Sequence, residues 1–210
     1  MLRQITFPVG PLACNCTILG DDGSRTALVL DPGAEVASIC QQLESRGWQL
    51  IAIVVTHAHI DHIGGAAELK RRTGAPVWLN PRDMALYGTL ASQAQWIGMP
   101  TPEMVAIDAG LDSRSSLRLG DHRLEVLETP GHTEGSICLY LPGEGKLFAG
   151  DTLFAGSIGR TDLPGGDYVA ILESIRGTLL MLPDNTRVIP GHGTETTIGH
   201  ERATNPFLQK

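Results

Sequence analysis

Thr56-His57-Ala58-His59-Ile60-Asp61-His62 places three imidazoles and a carboxylate within six residues. Imidazole nitrogen and carboxylate oxygen are donors that zinc, iron and manganese accept. A loop this dense in them is a poor one for any purpose other than holding a metal. Further along stand Gly131-His132, Gly150-Asp151 and Gly191-His192. Together these give His57, His59, His62, His132, His192, Asp61 and Asp151 as candidate ligands, with no sulfur among them. Seven side chains exceed what one tetrahedral ion needs. Two ions with three or four ligands each, sharing a carboxylate, fit the number, and paired ions ~3.5–4 Å apart are a hydrolytic device. Gly131, Gly150, Gly191 and Gly193 would let the backbone turn sharply and crowd toward an ion. Of the 7 His in the chain, the two others are set apart. His122, in the Gly120-Asp121 turn, is expected at the surface, and His200, in the C-terminal segment, in a structural role.

Each candidate ligand follows an apolar run. Ile51–Val55 leads into the His57–His62 segment, Leu124–Leu127 into His132, Lys146–Ala149 into Asp151 and Arg187–Ile189 into His192. In sheets covered by helices, ligands gather outside the strand ends, so four such ends can converge on one point. Residues 2–7, 13–19 and 25–30 also read as strands, with Asp21-Asp22-Gly23 as a hairpin turn. Residues 35–46 have helical apolar spacing at Val36, Ile39, Cys40 and Leu43, residues 64–72 read as a helix ended by Gly74, and Asn80-Pro81 reads as a cap beginning another. A hairpin is expected over 116–128, strands at 137–141, 146–149 and 186–189, and a helix from Asp167 to about Met181. Strands alternate with helices, yet hairpins occur, so the sheets should be mixed and covered by helices. No linker or low-complexity tract interrupts the 210 residues, and one domain, 1–210, is expected.

The net charge of −7 gives no electrostatic footprint for nucleic acid or anionic lipid. The longest aliphatic run, Leu50–Val55, falls far short of the ~20 residues of a membrane helix. Pro8, Gly10 and Pro11 break any apolar leader. The 4 Cys have no zinc-knuckle spacing and read as reduced thiols of a cytoplasmic protein. No Gly-x-Ser-x-Gly is present to supply a serine nucleophile.

The His-x-His-x-Asp-His segment at 57–62, Gly131-His132-Thr133-Glu134-Gly135-Ser136, Gly150-Asp151 and Pro190-Gly191-His192-Gly193 resemble, in order and spacing, the motifs of the metallo-β-lactamase superfamily. The resemblance covers nearly the whole chain. It implies an α/β fold, an αββα four-layer sandwich of two mixed β-sheets flanked by helices, with metals at one edge. It further implies that His57, His59 and His132 hold one ion, that Asp61, His62 and His192 hold a second, and that Asp151 bridges them. Around Pro8–Cys16, Phe154–Gly166 and the tail from Asn205, the chain resembles the short bacterial type of glyoxalase II.

That likeness implies two divalent ions, zinc first with iron or manganese also accepted, and a small-molecule glutathione thioester as partner. Water activated at the metals would attack the thioester carbonyl of S-D-lactoylglutathione, giving D-lactate and glutathione, with Asp61 orienting the nucleophile. By that likeness the chain is expected to be without the C-terminal helical domain with which longer members bind glutathione. Arg160, in the active-site loop, is then the candidate for a glutathione carboxylate, with Asp162 as its competing partner. Alternatives are a mononuclear Fe(II) persulfide dioxygenase, whose Gly-Arg-Thr-Asp loop is similar and whose ligands would be His57, His132 and Asp151, and another hydrolase of the fold, a lactonase or β-lactamase-like enzyme. His192, placed to complete a second site, favours two metals. The oligomeric state is not legible.

Overall fold

The computed structural model of the chain describes residues 1–209. Six strands form the first sheet in sequential order: β1 (Leu2–Val9), β2 (Cys14–Asp21), β3 (Thr26–Leu30), β4 (Gln49–Val54), β5 (Val77–Leu79) and β6 (Ala109–Gly110). The first three pair antiparallel and the last three join in parallel. The second sheet is built from β7 (Ser116–Leu119), β8 (His122–Glu128), β9 (Ile137–Leu141) and β10 (Lys146–Gly150). A small hairpin, β11 (Leu153–Phe154) and β12 (Ser157–Ile158), comes next. Then β13 (Arg187–Pro190) and β14 (Thr196–Thr197) complete the order β14-β13-β10-β9-β8-β7, in which only β10 and β13 are parallel. Both sheets are mixed, as expected.

The helices are α1 (Val36–Arg46), α2 (Ile60–Ile63), α3 (Ala66–Thr73), α4 (Met84–Tyr87), α5 (Leu90–Ile97), α6 (Tyr168–Gly177) and α7 (Ile198–Thr204). Alternation along the strands creates the layers. In β4, Ala52 and Val54 face the second sheet, while Ile53 packs in the cluster that contains Ile39 and Leu43 of α1 and Leu69 of α3. In β9, Leu139 and Leu141 face the first sheet, while Cys138 and Tyr140 join Ile171 and Ile175 of α6. Side chains of successive strand residues point to opposite faces, and a strand covered on both faces must be apolar on both. That is why 50–55 and 137–141 read as unbroken apolar runs. The result is the αββα sandwich.

Two local expectations need correction. The helix expected over 64–72 begins at Ala66, because the ligand segment itself coils into the single turn α2, and Gly64 and Gly65 separate the two. Asn80 does cap as expected, its Oδ1 accepting the Arg82 N–H at 3.0 Å, but it opens only one 3-10 turn, 81–83, before α4. No helix among the described residues is long and apolar enough to cross a membrane.

Candidate metal centre

β4 ends at Val54, and the chain turns toward the mouth of the sandwich through Val55, Thr56 and His57. The turn is pinned by buried carboxylates. Asp31, just past β3, accepts the Thr56 N–H and the Thr56 hydroxyl at 2.8 Å each. Asp83 accepts the Ala58 N–H, also at 2.8 Å. His59 then stands at the N-terminus of α2 in extended conformation, and Gln93 of α5 accepts the Ile60 N–H at 2.9 Å. The other three segments enter from the second sheet, after β8 (His132), β10 (Asp151) and β13 (His192).

All seven candidate ligands come together. His132 Nε2 lies 3.2 Å from His57 Nε2 and 2.9 Å from His59 Nδ1. A few ångströms away, His192 Nε2 lies 3.3 Å from His62 Nε2 and 3.1 Å from an Asp61 oxygen. Asp151 stands between the two groups, with Oδ2 3.6 Å from both His132 Nε2 and His192 Nε2, and Oδ1 3.4 Å from His62 Nε2. A Cβ on Gly191 would collide with Asp151 Oδ1, so only glycine lets the His192 loop approach this closely. Gly131, with φ at 133°, makes the turn that was expected of it and also admits α6, since a Cβ there would strike the backbone of Ile171.

The donor chemistry fits metal ions. His132 Nδ1 faces the Arg160 carbonyl at 2.8 Å, which fixes the proton there and leaves the Nε2 lone pair pointing into the site. His57 Nδ1 faces Thr56 Oγ1 at 3.1 Å, a hydroxyl whose own hydrogen goes to Asp31, so His57 Nε2 also presents a lone pair. Two nitrogen lone pairs at hydrogen-bond distance repel unless a cation lies between them. Burial, with the neighbouring imidazoles, pushes His57 well below the usual histidine range. Burial and His132 bring His59 down to about 4. The first group is therefore a set of neutral donors.

The second group is lined by carboxylates. Burial opposes charge on His62, but Asp151, Asp31 and Asp61 outweigh it and hold its pKa well above the ordinary value. Burial likewise opposes charge on Asp61, yet His62 and His192 hold its carboxyl well below the usual range. Such a site demands positive charge. Asp151 Oδ1 is also buried without a hydrogen-bond partner, and a cation at this centre would satisfy it.

Several supports leave no mark in the sequence. Asp31 Oδ2 lies 3.1 Å from His62 Nδ1, orienting that ring. Asn15 of β2 donates its amide to the carbonyls of Pro190 and Gly193, at 2.9 and 3.0 Å, and its backbone N–H to the Gly191 carbonyl at 2.7 Å. The Cys14 thiol sits 3.6 Å from His62 Nδ1, and burial pushes it up to about 11, so it stays protonated on the far side of that ring from the site. Arg160 lies at the site through its carbonyl, while its exposed guanidinium makes two 2.8 Å bonds to Asp162. His122 opens β8 opposite Leu119 and His200 is exposed on α7, both outside the cluster.

Comparison with known proteins agrees with this geometry. The metallo-beta-lactamase superfamily profile matches residues 9–192. Hydroxyacylglutathione hydrolase GloC of Haemophilus influenzae is 39% identical over 204 residues, 96% of this chain and 96% of that protein. Among solved structures, the BLEG-1 B3 metallo-beta-lactamase superposes with a TM-score of 0.91 at 37% identity, covering 100% of both chains. TTHA1623, solved in a di-iron-bound form, gives 0.86 at 38% identity, covering 97% of this chain and 100% of its own.

Proposed function

This chain belongs to the metallo-beta-lactamase superfamily and is a metallo-hydrolase of that fold, and on that premise we propose that it cleaves a glutathione thioester, S-D-lactoylglutathione, to D-lactate and glutathione. The observation that carries the metal-dependent part is the pair of inward-facing lone pairs on His57 and His132, 3.2 Å apart. In this reading His57, His59 and His132 would hold one divalent ion, Asp61, His62 and His192 would hold another, and Asp151, which faces both groups, would contribute to each. Such a pair supplies Lewis-acid polarisation of the substrate carbonyl and a water acidic enough to ionise near neutral pH.

The chain's own groups then do the rest. Asp61, kept ionised beside His62 and His192, accepts a hydrogen bond from the attacking water and orients it. Asp31 and the Arg160 carbonyl hold His62 and His132 in register. The leaving thiolate has a parent pKa of ~8.5 and needs no strong general acid, and no protonated acid is required of the chain. Phe154 of the β11–β12 hairpin stands with its ring 6.5 Å from that of His192.

The glutathione assignment is supported by the GloC relative and by Arg160 at the loop that holds His132. Arg160 reaches a substrate carboxylate by exchanging Asp162 for it. A β-lactam is the second reading, supported by the likeness to BLEG-1. Purified, metal-loaded protein offered S-D-lactoylglutathione should release thiol, scored with a thiol reagent. Absence of thiol release alongside opening of a β-lactam would replace the first reading with the second.

A further inference from the structure

Asp83 is wholly buried, 0% exposed, yet contributes no donor to either group of ligands. It ends the 3-10 turn after β5, where its N–H donates to the Asn80 carbonyl at 3.1 Å. Its Oδ2 accepts the Ala58 N–H at 2.8 Å and the Thr133 hydroxyl at 2.9 Å, and its Oδ1 accepts the Gly135 N–H at 2.7 Å. Ala58 stands between His57 and His59, and Thr133 is the residue after His132. One carboxylate thus ties the two segments that carry His57, His59 and His132. Its bonds reach neither the Asp151 segment nor the His192 segment, and His62 is held instead by Asp31. The contact is closely built: a Cβ on Gly135 would stand 2.7 Å from Asp83 Oδ1, so that loop approaches the carboxylate as only glycine allows.

We propose that Asp83 is a positioning residue for the first metal ion, fixing His57 and His59 against His132 before the ion arrives. The inference rests on the two-ion reading above. His57 and His59 come from the first sheet and His132 from the second, so without a tie the ion would have to gather the donors and meet the ordering cost itself. Asn cannot replace Asp83. Its single carbonyl oxygen can serve either Gly135 or the Ala58–Thr133 side, and its NH2 then faces a backbone N–H on the other.

The test measures zinc affinity by chelator competition in two backgrounds. His192→Ala leaves the first group of donors complete, and His132→Ala leaves the second. Asp83→Asn should weaken binding in the His192→Ala background by roughly tenfold to a hundredfold, the usual effect of losing a support behind the ligands. In the His132→Ala background it should weaken binding far less, because the loop that Asp83 holds through Thr133 and Gly135 no longer carries a donor. Equal weakening in both, or in neither, overturns the proposal. If circular dichroism shows that Asp83→Asn does not fold, Thr133→Val removes one of the three bonds at constant shape, along with the 2.7 Å contact between the Thr133 and Ser136 hydroxyls, and must weaken the first group alone; an unchanged affinity there overturns the proposal as well. Wild-type protein that holds one ion instead of two would overturn the two-ion reading alone. Asp83 is then judged on that ion, weakened by Asp83→Asn for the proposal and unaffected against it.

Discussion

Asp31 and Asp83 grip the same strand exit from two sides: the first accepts the N–H of Thr56 and the second that of Ala58, each at 2.8 Å. His57 lies between these anchors. Two buried carboxylates, reaching in from the ends of β3 and β5, thereby hold a segment that leaves the sheet and has lost its ladder partners. Asp31 adds a bond to His62, and Asp83 adds bonds toward the His132 loop.

Asp31→Ala should destabilise the fold itself. It leaves the Thr56 N–H, the Thr56 hydroxyl and His62 Nδ1 without their acceptor in a buried place, and each such orphan costs about 1–3 kcal/mol. A loss of at least ~3 kcal/mol in urea unfolding is expected. A variant as stable as the parent would show that these bonds do not hold the turn.

Asp151→Ala should abolish the capacity for two ions and lower turnover by roughly a hundredfold or more, beyond the effect of losing a residue that only supports a ligand. Asp151 is the carboxylate that faces both His132 and His192 at 3.6 Å. Two tightly held ions and wild-type turnover in the variant would remove it from its bridging place.

Metal removal should lower the melting temperature. An ion present at a thousand times its dissociation constant stabilises by ~4 kcal/mol per site, which for a chain of this length is roughly 8–16 °C. Scanning calorimetry before and after chelation, with zinc restored as a control, reads the shift. No difference would mean that the inward-facing imidazoles tolerate one another without a cation.

Arg160→Ala should raise KM for S-D-lactoylglutathione by about tenfold to a hundredfold with kcat and metal content nearly unchanged, because a charge-assisted contact is worth ~1.5–3 kcal/mol and its loss is uniform between ground and transition states. A thioester lacking glutathione carboxylates should not respond. Asp162→Asn should act in the opposite direction, since it releases the guanidinium from its two 2.8 Å bonds. If neither substitution moves KM, the arginine acts only through its carbonyl.

His122→Ala should leave rate and metal content unchanged. The residue opens β8 opposite Leu119, away from the ligand-bearing ends of the strands. A tenfold fall in turnover with the fold intact would show that the set of ligands is incomplete.

The candidate ligand segments are legible in the sequence because each comes after an apolar strand and consists of residue types with few other reasons to cluster. The two-faced burial of β4 and β9 is legible for a related reason: the apolar runs are unbroken. Asp31, Asp83 and Asn15 are not. A carboxylate or amide that bonds to backbone N–H or carbonyl groups across the fold leaves no period and no local partner in sequence. Asp31 is readable only as the stop after β3, in Asp31-Pro32-Gly33. The helix α5, whose Gln93 bonds to Ile60, is hidden by a sequence with mixed polar and apolar spacing. The engagement of Arg160 with Asp162 lies within reach, two residues apart, but its carbonyl bond to His132 does not.

The clasp made by Asn15 joins positions 175 and 178 apart in the chain, and this bears on biosynthesis. As the ribosome delivers residues in order, His57, His59 and His132 are all available while the partners of Asn15 are still untranslated. The loop that carries His192 therefore takes its place last of the four candidate ligand segments, and a polypeptide that ends before β13 leaves Asn15 without its partners.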